Sequence, residues 1–243
     1  MIITVIGLGL IGGSFAKSLK ESNSDIHIIG SDISTDHEIK ALELGLVHEC
    51  KPMLEALQQA DIILLAVPVN VLQKQLSKIL DTVREDQLVI DFGSTKFKIT
   101  QSVINHPNRK NYLAAHPMAG TENTGPEAAF TGLYKNKILI ICDQELTDSQ
   151  LLAKAKALFN TLSLQTIYMD SEAHDKHIAY VSHLSHVSSF MLGLTVLDIE
   201  KNEKNIFNMA GSGFNSTVRL AMSSPDMWTP IFIQNKANVK LAL

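Results

Sequence analysis

IITVIGLGLIGGSFAKSLKES, residues 2–22, joins a β-branched run to a helical one through three glycines. Gly7, Gly9 and Gly12 have the spacing G-x-G-x-x-G, which gains meaning only between a strand and a helix. Both flanks are present. IITVI is short, apolar and β-branched, and from Ile11 the apolar residues recur at helical spacing. In that setting Gly7 permits the tight turn, Gly9 lets backbone approach a pyrophosphate, and Gly12 lets helix and strand pack closely. Leu10 and Ile11 open the helix, whose first N–H groups and positive dipole end face the phosphates. The stretch predicts a strand–turn–helix that holds a dinucleotide.

The next strand-like run, HIIGSD, ends at Asp32. It falls about 20–25 residues past the glycines, where a ribose-binding carboxylate is expected. The other reading of Asp32 is an ordinary turn residue. No arginine follows it closely to receive a 2′-phosphate; the chain has only Arg84, Arg109 and Arg219. NAD is therefore favoured over NADP.

Further strand-like runs are ADIILLAVP, QLVIDFGS, NYLAAHP, NKILIICD and LQTIYMD, with helical stretches such as VNVLQKQLSKILDTV and DSQLLAKAKALFNTL between them. ADIILLAVP is apolar throughout, as a strand covered on both faces must be. The alternation predicts an α/β, Rossmann-type, mainly parallel sheet. After about Asp170 strand candidates cease, and EAHDKHIAYVSHLSHVSSFMLGLTVLDIEK reads as one long helix. The expected division is a dinucleotide-binding domain over 1–168 and an all-helical domain over 169–243. The chain stops at QNKANVKLAL, still helical in pattern, so a shortened helical domain is expected.

The carboxyl ends of such strands face the ligand crevice. Val67 and Pro68, then DFGSTK (91–96), then His116 in AHPMAGTE (115–122), all fall there. That places His116 on the cofactor's rim. The residues alone leave open whether it does chemistry or fills a turn.

The 243 residues carry 45% hydrophobic side chains, enough for a sizeable core, and a net charge of −4 without a basic run, which argues against nucleic acid. Cys50 and Cys142 lack metal or redox spacing, so a reducing cytoplasm is expected. No leader is apparent at the start, and the best membrane candidate, residues 179–197, contains His183, His186 and four serines. His174 with His177, and His183 with His186, are pairs three apart. On a continuous helix the nine residues between the pairs turn it through about half a circle. The pairs then face opposite ways and no metal site is expected. The long helix has more apolar surface than one small domain covers, which points to a homodimer.

GLGLIGGS, DFGSTK, HPMAGTE, SHLSH and GFNSTVRLAMSSPDMW occur in the order seen in prephenate and arogenate dehydrogenases, and over essentially its whole length the chain resembles that family. The resemblance implies a Rossmann domain followed by a helical dimerisation domain. It implies NAD-dependent oxidative decarboxylation of prephenate to 4-hydroxyphenylpyruvate in tyrosine biosynthesis. The chain opens at the nucleotide-binding strand and leaves little room after the helical segment, so neither a fused mutase nor a regulatory domain is expected. His116 matches the catalytic base, and Ser94 a serine that bonds the reacting hydroxyl or the nicotinamide; Ser94 also reads as a helix N-cap. Arg219 matches a grip on substrate carboxylate, against an ion pair within the chain. One histidine of SHLSH is implied in the substrate pocket, with His186 slightly preferred over His183. Glu122 matches an acid that orders the pocket, and Trp228 a tryptophan that helps close it. Several family members carry an acid where this chain has Ser216, which leaves arogenate open as a substrate. Outside that chemistry stand a hydroxyacid dehydrogenase, an imine reductase and a non-catalytic NAD-sensing module.

Overall fold

The structure is a computed structural model and describes residues 1–22, 25–203 and 205–243. Its strands are β1 (Ile2–Ile6), β2 (His27–Ser31), β3 (Glu49–Cys50), β4 (Ile62–Leu65), β5 (Leu88–Asp91), β6 (Tyr112–Pro117), β7 (Ile138–Cys142) and β8 (Gln165–Met169). Helices α1 (Leu10–Ser22), α2 (Thr35–Glu43), α3 (Met53–Gln59), α4 (Val69–Thr82), α5 (Phe97–Ser102) and α6 (Ser149–Thr161) lie between them. From α7 (Ser171–Ile178) onward, among the described residues, the regular elements are helical: α8 (Leu184–Glu200), α9 (Ser212–Val218), α10 (Pro225–Gln234) and α11 (Lys236–Ala242).

One eight-stranded sheet runs in the order β3-β2-β1-β4-β5-β6-β7-β8. Every neighbouring pair is parallel except β6 with β7, where His116 sits opposite Ile140. The order reverses at β1, which has β2 on one side and β4 on the other, so the ligand crevice opens at their carboxyl ends. β3 was not expected. At two residues it is too short to show any alternation, and ADIILLAVP holds the fourth strand rather than the third.

Alternate strand residues feed two cores. Ile3, Val5, Ile62, Leu64, Leu88 and Ile90 meet Phe15 and Leu19 of α1 and Leu151 and Leu158 of α6 on one face. On the other, Ile63, Leu65 and Val89 meet Leu72 and Leu76 of α4, with Trp228 and Ile231 of α10. Burying each such large apolar side chain contributes about 1.5–3 kcal/mol. The helical segment is thus docked on the sheet domain by its own α10.

The expected single long helix is interrupted. Between α7 and α8, residues Ala179–His183 form a π turn. This corrects the opposite-face argument for the histidine pairs. A π turn accommodates one extra residue, so His174 to His183 counts as about eight helical steps, leaving the two about 80° apart instead of about 180°. Both are buried, at 0% and 1% exposure. His177 lies exposed on another face. Among the described residues no helix is long and apolar enough to cross a membrane.

Candidate active site

The glycine turn has the geometry its spacing promised. Gly7 has φ +95°, and a Cβ there would lie 2.6 Å from the Ala66 carbonyl oxygen. Gly7 is thereby pressed against the end of β4, beside Val67 and Pro68. A Cβ on Gly12 would meet the Gly7 carbonyl at 2.0 Å, so the start of α1 packs directly on the turn. A Cβ on Gly9 would meet nothing within 4 Å, which leaves open space in front of the backbone. The first-turn N–H groups at Leu10 and Ile11 have no intrahelical partner. The Asp32 carboxylate accepts from Leu8 N–H at 2.7 Å and Ser34 N–H at 2.9 Å, with His37 Nδ1 at 3.4 Å. It is therefore tied to the glycine turn itself, more than a plain turn residue would be.

β6 delivers His116 to the rim, with 9% of its surface exposed. His116 Nδ1 lies 2.9 Å from His174 Nε2, and His174 Nδ1 lies 2.8 Å from Asp175 Oδ1. Asp175 also accepts from the backbone N–H groups of Lys96, at 2.7 Å, and Phe97, at 3.1 Å. Burial holds His116 well below the usual imidazole range, helped by the His174, Lys96 and His183 charges. His174 is lowered by burial as well, against the opposing pull of Asp175. These imidazoles are neutral at pH 7.

Behind them lies a buried polar cluster that sequence reasoning missed. Lys96, fully buried, pairs with Asp91 and donates to the Ala115 carbonyl at 2.7 Å. Tyr112 donates its hydroxyl to the same Asp91. Asp91 and Lys96 flank the end of β5 in DFGSTK, so the motif was visible but its internal pairing was not. Asp175 was equally invisible, being 79 residues from Lys96. It also takes the capping role expected of Ser94: Lys96 is the N-cap of α5 and makes no side-chain cap. Ser94, half-buried on the same loop, makes no hydrogen bond among the described residues.

The helical segment supplies the rest. Asn235 Nδ2 donates to the Asp175 carbonyl at 2.6 Å and to His183 Nδ1 at 3.1 Å. His183 Nε2 is buried without a partner. Burial lowers its pKa from 6.5 to about 4. His183 meets the Trp228 ring edge-on at 5.8 Å, and His186 stacks on Trp228 at 3.7 Å. His186, held low by burial and sensing Arg219, donates Nδ1–H to the Ser182 carbonyl at 3.0 Å. Arg219 opens the 3-10 turn Arg219–Met222 and is exposed. Its partner is Glu122, at 3.4 Å, six residues beyond His116. The series His116, His183, Trp228, His186, Arg219 and Glu122 is thus continuous by contact or charge. Gln234 crosses the same seam, accepting from Thr95 Oγ1 at 2.5 Å and donating to the Val69 carbonyl at 2.9 Å.

Two family models cover nearly the whole chain. Residues 15–168 match the prephenate dehydrogenase nucleotide-binding domain, and residues 170–243 match the prephenate dehydrogenase dimerization domain. The chain is 31% identical over 240 residues to the prephenate dehydrogenase of Bacillus subtilis; the match covers 98% of this chain. It spans 65% of that relative's length, just under two thirds. Among solved structures it superimposes on prephenate dehydrogenase from Aquifex aeolicus, in complex with hydroxyphenyl propionate and NAD+, with TM-score 0.92 and 34% identity. That match covers 100% of this chain and 85% of the other. Synechocystis arogenate dehydrogenase matches with TM-score 0.79 and 28% identity, over 100% of this chain and 86% of that one.

Proposed function

We propose that this chain, which belongs to the prephenate dehydrogenase family, oxidatively decarboxylates prephenate to 4-hydroxyphenylpyruvate in tyrosine biosynthesis. NAD, when bound, supplies the hydride acceptor. The open space at Gly9, the first-turn N–H groups of Leu10 and Ile11 and the Asp32 carboxylate suit its pyrophosphate and ribose. Val67 and Pro68 line the far side of the turn. The observation that carries the reading is a neutral, buried imidazole at the rim of that crevice, His116.

His116 takes the hydroxyl proton from the ring carbon as hydride leaves that carbon and the C=O forms. The ring carboxylate then departs as carbon dioxide, and its electron pair flows through the ring to the carbonyl oxygen. That oxygen is reprotonated as the phenol. His116 can return the proton it took, so the cycle ends with the base restored. A buried base needs no exit route for a proton it gives back. Ser94, with its hydroxyl unbonded, is suited to orient the same hydroxyl. The half-exposed Arg219 fork receives a substrate carboxylate in exchange for Glu122. His183 and His186 frame the ring with Trp228. His183 carries the buried unpartnered nitrogen, whereas His186 is half-buried and already bonded to backbone; of the two, His183 is the better donor to substrate.

The helical segment is read as the homodimer surface, supported by exposed Met191, Leu194 and Leu197 on α8. The unpaired Cys50 and Cys142 suit a reducing cytoplasm. We place the domain division at 168/169, next to where β8 ends. Arogenate stands as the second reading, because Ser216 removes an acid near Arg219 and the Synechocystis relative is an arogenate dehydrogenase. NADH formation, assayed with prephenate and with arogenate, tests all of this. His116→Asn should lower kcat by roughly 10²–10⁴-fold and leave NAD binding intact. NAD binding without turnover of either substrate would reduce the chain to a sensing module.

A further inference from the structure

The hydrogen-bond chain behind His116 has a direction that can be deduced from its far end. Asp175 Oδ1 accepts from the Lys96 backbone N–H at 2.7 Å, and its Oδ2 from that of Phe97 at 3.1 Å. Both oxygens are committed as acceptors, so the neighbouring His174 Nδ1, 2.8 Å away, must be the donor. A neutral imidazole with its proton on Nδ1 has a bare lone pair on Nε2. That lone pair faces His116 Nδ1 at 2.9 Å, which must therefore carry a proton. His116 Nε2 is left as the basic nitrogen. It has no protein partner among the described residues, and it is not one of the buried side-chain nitrogens left without a partner.

We propose that His174 and Asp175 are positioning residues that lock His116 into the Nδ1–H tautomer and so aim its lone pair into the crevice. Neither residue touches the reacting atoms. The inference rests on His116 being the base. When Nε2 takes the hydroxyl proton, a new N–H bond forms there and the Nδ1–H bond stays intact. The resulting imidazolium is held by the His174 lone pair, with the Asp175 carboxylate behind it. The reverse tautomer would present an N–H to the substrate hydroxyl and could accept nothing. Two backbone N–H groups at the start of α5 thus decide the protonation of a nitrogen two side chains away. The charged and titratable groups facing His116 are His174 and Asp175 from α7, Lys96 with Asp91 from the β5–α5 loop, and His183 from the π turn.

The test is nitrogen-15 NMR of the full chain labelled at histidine, read together with steady-state rates. In the unsubstituted protein at neutral pH, His116 should show a protonated Nδ1 and an unprotonated Nε2. A protonated Nε2, or a mixture, overturns the proposal. His174→Phe removes the acceptor; the tautomer should become mixed and kcat should fall roughly 10- to 100-fold with KM unchanged, within the range a base contributes. His174→Gln, whose amide oxygen can still accept from Nδ1–H, should restore the tautomer and most of kcat. Loss of rate in both variants with an unchanged tautomer would also overturn it, as a purely structural effect. Should His174→Phe fail to fold, the spectrum of the unsubstituted protein and the glutamine variant decide. Absence of turnover with any substrate would count against the function proposed above, while the tautomer would still be read directly.

Discussion

Acidification from about pH 7 to about pH 5 should destabilise the fold through a single histidine by a calculable amount. His183 is 1% exposed, and burial drives its pKa from 6.5 down to about 4. Between those two values the unfolded chain binds a proton that the folded chain refuses. Stability therefore rises with pH across that window and falls on acidification through it. Entering both values into the linkage relation gives a loss of about 2 kcal/mol at about pH 5, approaching on the order of 3 kcal/mol below about pH 4. His116 and His174, whose values are also lowered, act in the same direction. Urea unfolding at the two pH values measures the total, and His183→Gln isolates the single contribution because glutamine cannot titrate. The variant should lose about 2 kcal/mol less than the unsubstituted protein on acidification. If both lose the same amount within about 0.5 kcal/mol, the buried neutral histidine is not where the structure puts it.

Lys96→Met leaves Asp91 charged and buried without a counter-charge, bonded by the Tyr112 hydroxyl and the Gly93 N–H alone, so unfolding free energy should drop by about 3–5 kcal/mol in urea titration. Adding Asp91→Asn should recover much of the loss. Asp32→Ser should weaken NAD binding far more than NADP binding, measured by titration of each cofactor; equal losses would deny Asp32 its ribose role. Arg219→Lys should raise KM roughly tenfold with little change in kcat, because an ammonium cannot reproduce the guanidinium fork. An unchanged KM would leave Arg219 as the structural partner of Glu122.

The dinucleotide half of the site was legible because its physics is local. Gly7, Gly9 and Gly12 act within one turn, and Asp32 closes the next strand. Seven strands announced themselves as apolar runs, while β3 was too short to do so. His116 stood out only as a histidine at a strand end. Its environment depends on His174, Asp175 and Lys96, which local periodicity cannot join. The histidine pairs went astray for a related reason: counting at 3.6 residues per turn assumes a regular helix, and nothing in AYVSH signals a wider turn. The Arg219 contact with Glu122 spans 97 residues, so neither segment alone could announce it.

The wide turn at Ala179–His183 sets regularity against chemistry. Winding the same residues as regular α-helix, with none removed, would give an unbroken rod, with tighter bonding and a higher melting point. Everything downstream would then swing by about 100°, and His183, Trp228's neighbour, would leave the pocket. Such a rewinding should yield a sturdier protein in which His183 no longer meets Trp228, a separation that selection for thermal resistance alone would favour and selection for the site would remove.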